Sequence, residues 1–380
     1  MKNKKIIFGL CTVVILISII YFNSNKEFIA ERKVAATTAF PTVELGEVWG
    51  AKQDQVANEI VATTKKLIEM NQKQNDRIRR DAHPKTHGCV KAQWTPITSN
   101  LKPELKTGVF AETQTIPAWI RFSNGASDGL KVPDSKPDVR GFAIKLMTPQ
   151  RNQDFLMVSL TRFFSRDSED YFNFSKAISE GSVATALYFL TNIKNGIIIK
   201  SGQIKIKSVL EAEYFSPVPS KLGNQSMRFK VTPCQTNFLP NKSVDENQPN
   251  YLSESLFKQL STGTACFDFY VQPNNDPKLN KLEDPTLTWN EEKSPFVKVA
   301  RIDIEKQNDF GTNDRLNFCD NLSFNPWHTY PENRPLGQIN RTRKLVYEEI
   351  SKFRHSLNKT LEMEPTDHSA CTGSAAALCR

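Results

Sequence analysis

Five histidines occur in 380 residues, and one of them, His83, stands in a cationic, turn-rich stretch: Arg80-Asp81-Ala82-His83-Pro84-Lys85-Thr86-His87-Gly88. Further along come Arg121-Phe122-Ser123-Asn124 and Asp138-Val139-Arg140-Gly141-Phe142. Imidazole is the side chain whose ordinary pKa suits proton transfer near neutrality. Guanidinium forks match carboxylates and phosphates. The combination suggests an acid–base group beside a bound anion. His83 and His87 lie four apart, as two zinc ligands on a helix would, but Pro84 and Gly88 oppose a regular helix there. The sequence has no H-E-x-x-H, no G-x-S-x-G, no P-loop and no G-x-G-x-x-G. Zincin, α/β-hydrolase, P-loop and dinucleotide-binding chemistry are therefore not indicated.

The elements that must position these residues are mostly strands. Residues 106–123, 141–146, 154–160, 227–231, 266–271 and 296–304 carry β-formers, several of them in alternation. Helices are expected over 52–73, with Val56, Ile60, Leu67 and Met70 on one face. Others are expected over 177–194, with Ile178, Ala184, Leu187 and Leu190 as the apolar set, and over 251–261 and 339–357. A repeated β-α-β pattern is missing, which argues against a doubly wound sheet. The expectation is an α+β fold, an antiparallel barrel or strongly bent sheet with helices around it.

Four ordered motifs carry a family resemblance: Arg80-x-x-His83-x-Lys85-x-x-Gly88, Arg121-Phe122-Ser123, Asp138-x-Arg140-Gly141-Phe142-Ala143-Ile144-Lys145 and Phe163-Phe164-Ser165-Arg166-Asp167. Near the C-terminus, Arg343-Lys344-Leu345-Val346-Tyr347 and then Arg354 extend the pattern. Over residues 75–360 the chain resembles the haem catalases, and in Ser323-Phe324-Asn325-Pro326-Trp327-His328 and 334–341 the smaller catalase-related proteins.

That resemblance implies a catalase-type barrel without the large catalases' C-terminal domain. It also implies haem b as cofactor and a peroxide, hydrogen peroxide or an organic hydroperoxide, as substrate, by way of a ferryl intermediate. His83 would be the distal acid–base group and Ser123 its orienter. Tyr347 would be the iron ligand, with Arg343 one turn away favouring its phenolate. Arg80, Arg121 and Arg354 would hold the propionates, and Phe172 would pack on the macrocycle. Each residue also has a plain structural reading: a hydrogen-bonded turn histidine, packed aromatics, surface ion pairs. One position departs from the family. Where catalases carry a distal asparagine, this chain has Ser159, and loss of such a preorganised donor costs on the order of 10²–10³ in rate. The resemblance then fits slow catalase activity or peroxidase activity with an unknown electron donor. Two alternatives stay open, an isomerase or lyase of lipid hydroperoxides and a haem-binding module without turnover.

Lys2, Lys4 and Lys5 precede an uncharged apolar run over residues 6–22. The run fits an uncleaved signal anchor or a signal peptide and in either case an exported body. Residues 1–25 are assigned to that segment, 26–48 to a linker, 49–360 to the haem domain and 361–380 to a flexible tail. The expected location is extracytoplasmic, anchored to the inner membrane by residues 6–22. Of seven cysteines, six lie beyond the apolar run, an even number that permits disulfides in an oxidising compartment, with Cys371 and Cys379 able to close a tail loop. The formal charge of +9 comes without a helix-turn-helix, zinc-finger or RNA-binding signature, so nucleic acid is not an expected partner. Homo-oligomerisation is left open.

Overall fold

The computed structural model describes residues 43–72, 77–126, 131–234 and 244–371. In chain order they form α1 (Gln53–Gln72), β1 (Thr86–Pro96), β2 (Ile116–Asn124), β3 (Asp138–Met147) and β4 (Asn152–Val158). Three short helices follow, α2 (Ser168–Glu180), α3 (Ser182–Thr191) and α4 (Ile193–Gly202). Next come β5 (Gln203–Ile204), β6 (Tyr214–Phe215), β7 (Ser220–Leu222) and β8 (Gln225–Pro233). The chain continues through α5 (Tyr251–Thr262), β9 (Ala265–Pro273), β10 (Val297–Ile304), α6 (Asn313–Asn321) and α7 (Gln338–Asn358).

The strands close on themselves. Neighbours run β2-β1-β10-β9-β8-β6-β4-β3, and β3 pairs back with β2. The pairings are antiparallel throughout. Closure leaves no open edge along this ring. Aromatic rings fill the interior. Trp94 lies 4.7 Å from Phe269 and 5.9 Å from Phe155, and Phe142 lies 5.3 Å from both Phe122 and Phe267. Rings of this size span the lumen of a small barrel, so the core is packed and the chemistry must lie outside it.

Three local expectations are corrected. The apolar face of α1 is Val56, Ala57, Ile60, Val61 and Ile68 rather than a face reaching Leu67 and Met70, and Met70 is exposed. The helix expected over 177–194 is two helices, broken at Gly181, whose φ of 103° favours glycine. Its expected core residues Leu187 and Leu190 face outward. Val109 and Phe110 sit in a short 3-10 turn instead of a strand. The Asn333 side chain accepts the Val109 amide at 2.8 Å there and occupies the space beside Gly108.

The strand β1 escaped the sequence reading because it does not alternate: most of it is buried on both faces. Helix α5 covers it closely, and a Cβ at Gly88 would lie 2.6 Å from Leu256. Residues 44–47, assigned to the linker, are tied to the body. Buried Glu47 pairs with Arg334 at 2.8 Å and Arg341 at 2.7 Å. The start of the expected tail also packs back, with Glu364 2.9 Å from the buried Lys145 and Met363 bridged to Leu322. Disulfides join Cys89 of β1 to Cys319 of α6 and Cys234 to Cys266, with Cα separations of 5.9 and 5.4 Å. Cys379 and the run 6–22 lie outside the described residues. Among the described residues no helix is long and apolar enough to cross a membrane.

Candidate active site

The antiparallel register of β2 and β3 puts Ser123 opposite Gly141, and that of β1 and β2 puts Ser123 opposite Thr86 beside a bulge. His83 lies in the turn entering β1. Its φ is 58°, a left-handed conformation that non-glycine residues adopt only when the surroundings hold it. Arg121 supplies that hold: its Nη2 donates to the His83 carbonyl and to Thr86 Oγ1, both at 2.6 Å. The imidazole Nδ1 lies 3.1 Å from Ser123 Oγ. A Cβ at residue 141 would stand 2.6 Å from both of those atoms, so glycine is required for the pair to form. The residue as a whole is half-buried, and its imidazole lies deep in the protein. Burial, and secondarily the Arg121 charge, push its pKa down to about 4. The imidazole is neutral at ordinary pH and able to accept a proton.

His87 takes a different place. Its Nε2 lies 2.7 Å from Asn124 Oδ1, within a buried network of Asp134, Lys85 and Arg140. It is built into the scaffold behind β2.

Helix α7 brings the second half of the site. Arg343 stands one turn before Tyr347. Its Nη2 donates to Tyr347 Oη at 3.2 Å, and the guanidinium lies 5.2 Å from the centre of the ring. Arg354, two turns on, is buried against His355. Arg80 donates to the carbonyls of Leu322, Cys319 and Asp320 at 2.7, 3.1 and 3.3 Å, at the C-terminal end of α6. Arg80, Arg121 and Arg354 lie near enough to repel one another. Burial lowers all three below the ordinary arginine range; the Arg80 charge adds to it at Arg121 and Arg354, which fall to about 9, whereas Asp320 acts the other way at Arg80. Asp320 is the carboxylate among them, and Arg79 also pairs with it at 2.5 Å. Arg80 Nε and Arg121 Nε are buried without a hydrogen-bond partner. Buried cations in excess, with unfilled donors, form a site shaped for anionic groups.

The catalase family model matches residues 52–185. A catalase-related peroxidase of Mycolicibacterium paratuberculosis is 24% identical over 265 residues, covering 66% of this chain and 82% of that protein. A peroxisomal catalase of Candida albicans is 23% identical over 271 residues, 64% of this chain, and the match spans 54% of the yeast protein. Among solved structures, a fungal catalase superposes with a TM-score of 0.60 at 18% identity, over 84% of this chain and 66% of the other. Catalase A of Saccharomyces cerevisiae gives 0.58 at 18% identity over 89% and 76%. The chain is catalase-like. Its barrel and helices are the catalase fold, and the matched family region contains His83, Ser123 and the Phe163-Phe164 pair.

Two further residues of the sequence reading lie on α2 and just after β4. Phe172 is half-buried on α2. Its neighbour Tyr171 packs with Phe163, Phe164 and Phe174. Burial, then the charges of Asp81 and Tyr347, push the Tyr171 phenol up to about 12, while Arg343 acts the other way. The available signal was the helix start: Asp167 caps α2 by accepting the Asp170 amide at 2.9 Å, which fixes which α2 side chains turn inward. Ser159 is the second. Its hydroxyl donates to the Gly202 carbonyl at 2.6 Å and accepts the Arg140 amide at 2.9 Å. It is engaged with backbone and offers no donor to a substrate.

Proposed function

We propose that this chain is a haem-dependent, catalase-like oxidoreductase that reacts with hydrogen peroxide or an organic hydroperoxide. The observation that carries the reading is the His83–Ser123 pair over Gly141, a neutral imidazole fixed by one nitrogen. The donor chemistry of the site fits haem. Three arginines, two of them with an unfilled buried donor, suit two propionates, and Tyr347, whose oxygen accepts from Arg343 at 3.2 Å, is the candidate ligand for the iron. Bound haem supplies the redox chemistry. Among the described residues none takes up His83 Nε2, so that atom is free to receive the peroxide proton, while Ser123 keeps the ring oriented through Nδ1. His83 then returns the proton to the departing oxygen, which lowers the cost of breaking the O–O bond.

Turnover by peroxidase chemistry with an organic electron donor fits better than rapid disproportionation, because the Ser159 hydroxyl is occupied by backbone. The same observation favours, as a second reading, rearrangement or cleavage of a lipid hydroperoxide, which needs no external reductant. The body is exported and held at the inner membrane by residues 6–22. Its two disulfides support an oxidising compartment.

The test is haem loading of the full chain, followed by peroxide consumption with hydrogen peroxide or a lipid hydroperoxide, with and without a phenolic donor. Tyr347→Phe removes the phenolate–iron absorption bands in the expected case. Failure to bind haem overturns the proposal, and haem bound with neither peroxide consumed reduces it to a binding module.

A further inference from the structure

Helices α3 and α4 present an apolar surface that the described body leaves uncovered. Val183, Leu187 and Leu190 are 74, 59 and 71% exposed, and Ile193 and Ile197 63 and 61%. The first three fall at i, i+4 and i+7 and the last two at i and i+4, so each helix carries one outward stripe. The exposure does not come from a loose segment. The inward faces are clasped, with Asn195 Nδ2 donating to Asp170 at 2.9 Å and to Tyr188 Oη at 2.7 Å, and Tyr188 Oη donating to Asp170 at 2.9 Å. Ile198 is fully buried, and Phe189 packs against Gly196. A surface helix of a globular domain ordinarily turns charged residues outward. Here the thirteen residues 181–193 contain no charge at all.

Basic residues predominate along this segment, with Glu180 and Glu211 at its two ends. Residues 181–210 contain Lys194, Lys200, Lys205 and Lys207 and no Asp or Glu. Lys205 and Lys207 reach Glu246; Lys194 is exposed and gives one hydrogen bond to Thr286 Oγ1 at 3.1 Å, and Lys200 is exposed. Rigid apolar side chains flanked by lysines are the composition of a surface that lies in the headgroup region of an anionic bilayer. The chain ahead of the body also fits a bilayer. Residues 23–42 provide twenty residues between the apolar run and Val43, a reach of at most about 70 Å.

We propose that the α3–α4 surface docks on an anionic phospholipid bilayer, with Val183, Leu187, Leu190, Ile193 and Ile197 in the acyl–headgroup boundary and Lys194 and Lys200 at the phosphates. The tether argument rests on the reading of residues 6–22 as a membrane segment, whereas the stripe and its lysines stand without it. Docking places an unbroken aromatic layer between lipid and candidate site. The ring of Phe189 lies 6.0 Å from that of Phe174, Phe174 lies 4.7 Å from Phe164, and Phe164 lies 6.0 Å from Tyr171.

The test reconstitutes the full chain in phosphatidylcholine–phosphatidylglycerol vesicles containing a phospholipid with a diazirine in its acyl chain. Crosslinked peptides are mapped after illumination. Label on both 6–22 and 183–197 is the expected result, with the second lost in Leu187→Asp/Leu190→Asp and reduced on the order of tenfold in pure phosphatidylcholine. Label on 6–22 alone overturns the docking surface and leaves the anchor. Label on 183–197 alone supports the surface and overturns the anchor. If 183–197 instead crosslinks to residues 6–22 or to another copy and stays free of lipid, the surface has a protein occupant and the proposal fails.

Discussion

Ser123 Oγ stands 3.1 Å from His83 Nδ1, and the backbone under both atoms is held by one arginine, Arg121, and one glycine, Gly141. The hydroxyl fixes which way the ring faces and leaves the other nitrogen free. Ser123→Ala is expected to leave haem binding intact while slowing the reaction with peroxide on the order of tenfold, since the imidazole keeps its basicity and loses its orientation. Stopped-flow spectra of the haem-loaded variant check this. An unchanged rate would show that packing alone orients His83.

Gly141 gives a sharper test of the same geometry. A methyl group there falls 2.6 Å from His83 Nδ1 and from Ser123 Oγ, so one of the two must move. Gly141→Ala is expected to cost about 10²-fold in peroxide rate, the scale on which a displacement of about 1 Å acts. The barrel should persist, because φ at this residue is not in the positive range that only glycine tolerates easily. Circular dichroism and haem absorption separate the two effects: a variant that has lost its fold says nothing about His83, and a folded one with the parental rate contradicts the close contact.

The pH dependence follows from the His83 environment. Burial, aided by Arg121, lowers the imidazole from its ordinary value to about 4. The neutral base therefore persists well below pH 6.5, and the peroxide rate is expected to fall on the acid side only as pH drops through about 4. Linkage has the same sign for stability. In the unfolded chain the ring takes its proton first, so the contribution of His83 is complete above about 6.5 and lost as pH falls to about 4. A rate–pH profile with an acid limb near 6.5 would mean that the ring is solvated in the working protein.

Much of this arrangement was legible in the sequence because it is carried by short motifs on strands and one helix. Arg343 and Tyr347 share a helix face by spacing alone, and their 3.2 Å contact follows from it. The α+β barrel was legible from the strand-rich pattern without β-α-β repeats. What the sequence hid lies where tertiary context overrides periodicity. Strand β1 is covered on both faces and shows no alternation. Leu187 and Leu190 read as core because they are apolar at helical spacing, whereas the fold turns them outward. Tyr171 and Phe172 are adjacent aromatics, and it is Tyr171 whose ring packs with Phe164 and Phe174.

Ser159, which the resemblance matches to a distal asparagine, is held by backbone groups. Its hydroxyl bridges the Arg140 amide at the start of β3 and the Gly202 carbonyl at the end of α4, so it links the barrel to the helices that carry the apolar stripe. Both groups are buried, and removing the bridge leaves a donor and an acceptor unmatched. Ser159→Ala is expected to cost about 1–3 kcal/mol in stability, the price of an unmade buried hydrogen bond, and to change the peroxide rate less than twofold. Urea denaturation and peroxide consumption measured on the same preparation test both parts. A stable variant with a rate lowered on the order of tenfold or more would return Ser159 to the reaction, because its hydroxyl would then have to leave the backbone during turnover to reach the substrate.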